Sequence, residues 1–283
     1  MNNSSYSTID TLRKHGFNLK KSLGQNFLAD PNISKKIVRL SGITNKSNVL
    51  EIGPGAGALT TQLCQIAKMV IAVELDIRLI PVLNDVLSIY KNIELIHGDI
   101  LKVDIKTIIN ERFASEECQV CANLPYNITT PALQRLIETD VFDNITVMIQ
   151  REVARRICAK PGTTDYGAFT LYINYHSIPE ILFDVPPECF IPKPKVFSSV
   201  VNMKIRESKL LKPDEEKMLF KTIRASFEQR RKTLVNCLFS YFRDYISKDT
   251  IENKIINCGF DPKIRGEMLS LEDFIYLSKQ LHL

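Results

Sequence analysis

The 283-residue sequence predicts an α/β fold, a doubly wound parallel sheet followed by a small C-terminal helical domain. From about residue 47, short β-branched runs alternate with stretches of helical apolar spacing, the pattern of a parallel sheet wrapped by helices. The first of these runs ends in a glycine-rich turn, Gly53-Pro54-Gly55-Ala56-Gly57, that opens a helix. From Lys212 onward glycines thin out, strand patterns vanish and helix-period apolar positions remain.

The strand-like runs fall at 49–53, 69–75, 93–97, 119–122 and 145–150. Helical spacing occupies 59–67, 77–89 and 131–138 between them. Two later runs, 180–185 and 199–205, flank the proline-rich loop PPECFIPKPK and read as late strands of the same sheet. In the last part Leu219, Ile223, Phe227, Leu234 and Leu238 keep helical period. The organisation expected is a flexible leader over 1–19, a sheet domain over 20–206 and a helical domain over 207–283.

A composition of 45% hydrophobic and 24% charged residues supports a sizeable core and excludes disordered and fibrous classes. No window approaches the roughly 18 uncharged apolar residues of a membrane helix, and MNNSSYSTID lacks the apolar stretch of a signal peptide. Seven cysteines without a secretory signal read as reduced thiols in a soluble, cytoplasmic protein. The net charge is +5, and residues 193–232 hold 12 Lys/Arg against 5 Asp/Glu, an excess suited to a polyanion such as nucleic acid. A solvated helix face would carry the same charge.

The glycine turn alone fits any tight strand-to-helix connection, although Gly53, Gly55 and Gly57 would let backbone amides approach a ligand. The ends of the next three runs are more specific. The second run ends at Glu74, about 20 residues after the loop, where a carboxylate can take both hydroxyls of a ribose. The third ends at His97-Gly98-Asp99, placing a second carboxylate where it can accept from an adenine amine. The fourth ends at Asn123-Leu124-Pro125-Tyr126. Four polar elements at successive strand ends converge on the crevice where open α/β sheets bind ligands.

An adenine amine is a poor nucleophile because its lone pair is delocalised into the ring. The Asn123 side-chain oxygen and the Leu124 carbonyl, aimed by the fixed φ of Pro125, supply acceptors that favour a more tetrahedral nitrogen. Tyr126 offers a face on which a base can stack. Cys118 and Cys121 fall three apart in one strand and point to opposite faces, and the four histidines show no ligand spacing, so no metal is expected.

With these residues the sequence resembles the adenosine dimethyltransferases that act on small-subunit ribosomal RNA. The likeness runs over nearly the whole chain, through Lys20 to Leu28, Val49 to Thr60, Met148 to Arg155, Tyr166-Gly167, Phe190 to Val196 and Arg230 to Leu234. It implies a class I (Rossmann-like) methyltransferase that uses S-adenosylmethionine to dimethylate the exocyclic amines of two adjacent adenosines. These lie in the 3′-terminal hairpin loop of 16S rRNA in the small (30S) subunit, with a role in subunit biogenesis and the enzyme acting as a monomer. The resemblance places Gln25, Asn26, Leu28, Gly53, Glu74, Leu75, Asp99, Ile100 and Asn123 around the cofactor. It places the target base between Tyr126 and Phe190. Departures are Phe197, where the family usually has a small acidic or polar residue, and Gly266 between Arg265 and Glu267, where Ala or Pro is common.

For the RNA surface, Lys221, Arg224, Glu228, Arg231 and Lys232 fall on one stripe of a continuous helix while Ile223, Phe227 and Leu234 turn inward. Arg151, Arg155 and Arg156 form a second cluster, and Lys193, Lys195 and Arg230 complete the basic set expected to meet RNA. Two other readings share parts of the pattern: a resistance-type methyltransferase of large-subunit RNA, and an assembly factor whose work is to occupy the immature subunit.

Overall fold

The computed structural model describes residues 12–16, 26–113 and 116–281, so the leader and Gln25 lie outside the described residues, apart from 12–16. The chain divides into two compact units, Met1–Ala154 with Glu180–Ile205, and Arg155–Pro179 with Arg206–Leu283.

Down the chain, the first half contains β1 (Phe27–Leu28), α1 (Pro31–Leu40), β2 (Asn48–Ile52), α2 (Thr60–Ile66), β3 (Met69–Glu74), α3 (Ile80–Leu87) and β4 (Ile93–His97). There follow α4 (Ile105–Phe113), β5 (Cys118–Asn123), α5 (Thr129–Glu138), β6 (Asn144–Gln150), α6 (Arg151–Ile157), α7 (Ala168–His176), β7 (Ser177–Val185), β8 (Phe190–Ile191) and β9 (Ser198–Ile205). The rest is helical: α8 (Pro213–Glu228), α9 (Leu234–Phe242), α10 (Lys248–Asn257) and α11 (Leu271–Gln280).

In the first unit the sheet order is β4-β3-β2-β5-β6-β9-β7. Strands β2 to β6 pair in parallel, and β9 returns antiparallel along β6 with Ser198 opposite Gln150. All five residues of β2 and the last five of β3 are buried, as expected of central parallel strands covered on both faces. Helix α1 begins where Asp30 accepts from the Asn32 amide and Pro31 takes the first turn, a position that needs no amide donor. A separate antiparallel pair joins β1 to β8, with Leu28 opposite Phe190.

The second unit packs Leu219, Ile223, Leu234, Leu238, Ile251 and Phe274 into one core with Tyr166, Leu171 and Tyr175. The segment Arg155–Pro179, which the sequence places with the sheet, thus groups with the helices, because its aromatic side chains are buried in the core that α8 and α11 share. Its short apolar spacing marks a helix but cannot say which core that helix joins. The expected continuous basic helix also breaks. Helix α8 ends at Glu228, so Lys221, Arg224 and Glu228 share a helix while Arg231 and Lys232 lie in the turn before α9. There the Lys232 amide donates to the Gln229 carbonyl, closing the turn, and the Leu234 amide donates to the Ile264 carbonyl at the start of α9. Gly266 sits where a Cβ would come within 2.8 Å of the Ser226 side chain, so the close approach of two backbones explains its glycine.

No helix among the described residues is long and apolar enough to cross a membrane. Cys118 and Cys121 are both fully buried in β5, and among the described residues no group of three His, Cys, Asp or Glu side chains gathers as a metal site.

Candidate active site

In the first unit a cleft opens at the carboxyl ends of β2, β3, β4 and β5, where the strand order reverses between β2 and β5. Its walls bring together Asn26, Leu28, Gly53, Gly55, Glu74, Leu75, Asp99, Ile100 and the whole Asn123-Leu124-Pro125-Tyr126 segment. These residues are scattered along the first half of the sequence, and the parallel topology is what gathers them.

The glycine loop has three residues in the left-handed region, Gly53, Gly55 and Gly57, at φ of 64°, 60° and 83°. Their surroundings separate them. A Cβ on Gly55 would lie 3.1 Å from the Phe27 ring, which covers the loop from β1. A Cβ on Gly57 would press on Val86 of α3 at 3.2 Å, and Gly57 does not line the cleft. Gly57 thus packs against α3, apart from the cofactor contact that the sequence leads one to expect there.

Glu74 is buried at the end of β3 and clamps the loop. Its Oε2 accepts from the Gly55 amide at 3.1 Å and its Oε1 from the Asp76 amide at 2.8 Å. Burial pushes its carboxyl above the ordinary value, and these amide donors offset part of the rise. An ionised carboxylate has about four acceptor sites, so about two remain for hydroxyls of a ligand. Asp99 follows β4 and is likewise oriented, its Oδ1 accepting from the Leu101 amide at 3.0 Å. Two positioned carboxylates, a glycine cradle and apolar walls from Leu28 and Ile100 fit the ribose, amine and ring of S-adenosylmethionine.

At the end of β5 the Leu124 amide donates to the Met148 carbonyl of β6 at 3.1 Å, which fixes the segment against the sheet. The Asn123 Nδ2 donates to the Asn26 carbonyl at 3.3 Å. The amide orientation that makes this bond directs the opposite atom, Oδ1, to serve as an acceptor. The Tyr126 hydroxyl hydrogen-bonds Ser198 at 2.7 Å, which holds the ring in place, and burial raises its phenol pKa.

Phe190 does not join the cleft. Its side chain is fully buried, opposite Leu28 in the β1–β8 pair and packed in the core with Val185 and Val200. The hydrophobic effect gives that ring an apolar home, whereas the sequence leads one to expect it beside the target base. Of the basic residues, Lys193, Lys195, Arg155, Arg224, Arg231 and Lys232 are exposed. Arg230 is engaged within the second unit, donating to the carbonyls of Thr164 and Tyr166 at 3.0 Å each and to Glu267 at 3.3 Å. Arg151 lies over the Phe197 ring.

The cleft also contains Phe27, Glu51 and Asp76, which sequence reasoning does not single out. Phe27 sits in a two-residue strand, too short to show a period. Glu51 has a signal, a carboxylate inside the apolar run Val-Leu-Glu-Ile of a central strand. It is 1% exposed, and burial with the nearby Glu74 charge pushes it up to about 8. The Thr60 hydroxyl lies near enough to offset part of this rise, yet neither it nor Glu51 Oε2 completes a hydrogen bond.

This carboxyl makes stability pH-dependent. The fold keeps a proton that the unfolded chain releases near its ordinary value of 4.5, so its contribution is complete at acid pH and is lost as pH rises toward about 8. Glu51→Gln should flatten that slope, leaving the variant more stable than wild type by at least about 1 kcal/mol at about pH 8, with the gap narrowing toward about pH 5. Urea unfolding at the two pH values reads this directly. Parallel pH curves for the two proteins would remove Glu51 as the titrating group.

Comparison with known proteins identifies the family. Residues 16–269 match the family model "Ribosomal RNA adenine dimethylase". The ribosomal RNA small subunit methyltransferase A of Shouchella clausii is 47% identical over 273 residues, covering 96% of this chain and 92% of that protein. That of Anoxybacillus flavithermus is 45% identical over 278 residues, covering 97% and 94%. Among solved structures, a dimethyladenosine transferase from Plasmodium falciparum superposes with a TM-score of 0.74 at 26% identity, covering 89% of this chain and 95% of that one. The chain belongs to the ribosomal RNA adenine dimethylase family.

Proposed function

We propose that the protein transfers methyl groups from S-adenosylmethionine to the exocyclic amines of two adjacent adenosines in the 3′-terminal hairpin loop of 16S rRNA, in the small ribosomal subunit. The observation that carries this reading is the Asn123-to-Tyr126 segment, which lines one cleft with the carboxylates of Glu74 and Asp99.

S-adenosylmethionine, when bound, supplies a methyl group made electrophilic by its sulfonium. The protein's own part is orientation. Asn123 Oδ1, set by the bond from Nδ2 to Asn26, and the Leu124 carbonyl accept the two amine hydrogens and expose the nitrogen lone pair. Tyr126, held by Ser198, stacks on one face of the adenine. A loop adenosine is unpaired, so it enters such a pocket at low cost. The methylated amine is acidic and gives its proton to water, so no general base is required. Lys193 and Lys195, exposed on the β8–β9 loop, meet the phosphate backbone.

The test is incubation of the purified protein with methyl-labelled S-adenosylmethionine and small subunits that lack these modifications and, in a parallel reaction, unmodified large-subunit RNA. Label is expected as dimethyladenosine in the 3′-terminal hairpin. Label confined to large-subunit RNA would overturn the substrate and favour the resistance-type reaction. Tight subunit binding without any label would favour an assembly factor.

A further inference from the structure

The Tyr126 hydroxyl is anchored by Ser198, and the next residue back is Phe197, which remains 39% exposed. The backbone under that ring is fixed. Ser198 is fully buried and paired with Gln150, and the Phe197 carbonyl accepts from the Arg151 amide at 3.0 Å. The Arg151 guanidinium lies 4.5 Å from the centre of the ring, a cation–π contact. Arg151 also faces Asp184 at 3.8 Å, and Asp184 is itself held by the Ser199 hydroxyl at 2.6 Å.

These contacts decide what the surface suits. Asp184 sets an opposite charge 3.8 Å from Arg151, which makes the pair a poorer phosphate site than an isolated cation. A flat ring backed by a planar guanidinium, on rigid sheet-end backbone and partly exposed, suits the face of a nucleobase. Phosphate attraction is available separately from Lys193 and Lys195 on the same loop. Phe190, the other aromatic of this stretch, is buried and leaves Phe197 as its exposed ring.

We propose that Phe197 and Arg151 form a stacking subsite for an unpaired base of the RNA substrate that flanks the adenosine received at Tyr126. The proposal rests on the reading of the protein as an RNA adenosine methyltransferase and adds a second base contact to it. In this assignment Phe197 positions the RNA and takes no part in the transfer itself.

The experiment measures methyl transfer by the full-length protein on unmodified small subunits. Base–aromatic stacking predicts that Phe197→Ala raises the KM for subunits about tenfold while the KM for S-adenosylmethionine stays at the wild-type value. Phe197→Tyr should restore the wild-type KM, and Phe197→Leu, which keeps apolar bulk without a ring, should behave like the alanine variant. A wild-type KM in Phe197→Ala would overturn the proposal. So would full rescue by leucine, which would make the ring a packing residue. Absence of dimethyladenosine with wild-type protein would instead sink the underlying methyltransferase reading, so the two failures are told apart by the wild-type reaction.

Discussion

Asn123→Ala is expected to lower the rate of methyl transfer at least about a hundredfold, the usual scale for deleting one preorganised polar contact to a reacting group. The side chain stands at the end of β5, where the Leu124–Met148 bond fixes the strand end and the Asn26 carbonyl fixes the amide. Alanine keeps the backbone and removes the oxygen that accepts from the target amine. The folded state loses only one 3.3 Å bond from a partly exposed side chain, worth about 1 kcal/mol, so Tm should fall by a few degrees at most. Equilibrium binding of S-adenosylmethionine should weaken far less than turnover. Asn123→Asp sharpens the test. It preserves an oxygen but loses the donor to Asn26 and adds a charge to a cleft that already holds Glu51, Glu74 and Asp99, so it should fall between wild type and alanine. Single-turnover rates with labelled donor measure all three. Near-normal turnover in Asn123→Ala would end its assignment as the acceptor.

The parts of the molecule that are legible in the sequence share one property: their cause is local. The runs of β2 to β6 are rich in apolar, β-branched residues, and the structure moves their ends by only a residue or two. Gly53, Gly55, Glu74, Asp99 and Asn123 can be placed together because a parallel sheet puts every strand's carboxyl end on the same edge. What is not legible depends on distant partners. Phe190 reads as a loop aromatic next to prolines, and only its pairing with Leu28 puts it in the core. Gly57 belongs to the glycine motif by sequence, but its contact is Val86, on a helix that begins more than about twenty residues later. Phe27 reaches the cleft through the same two-residue pairing that buries Phe190. The segment 155–179 reads as part of the sheet domain yet joins the helices, because helical period identifies a buried face and not the core that buries it.

Arg230 and Arg231 show the same limit, and substitution separates them. By charge the two are equivalent, neighbouring cations in a basic stretch. By structure Arg230 ties two stretches of chain together, its Nη2 reaching the carbonyls of Thr164 and Tyr166 and the Glu267 carboxylate. Arg230→Glu strips both carbonyls of a charged donor and sets a carboxylate against Glu267. A charged hydrogen bond of this kind, on a side chain 46% exposed, predicts a loss of about 1–3 kcal/mol in the stability of the helical unit. Arg231→Glu, on the exposed face of the turn, should cost less than about 0.5 kcal/mol. The RNA readout then reverses the ranking of causes. Arg231→Glu should weaken subunit binding in a salt-dependent way at unchanged stability, through lost phosphate attraction. Arg230→Glu should weaken binding together with stability and with amide-exchange protection around residues 162–166. Urea unfolding and hydrogen exchange on the two single variants decide the matter: equal, wild-type stability in both would return Arg230 to the RNA surface, whereas a loss confined to Arg230→Glu makes it the brace of the loop between α6 and α7.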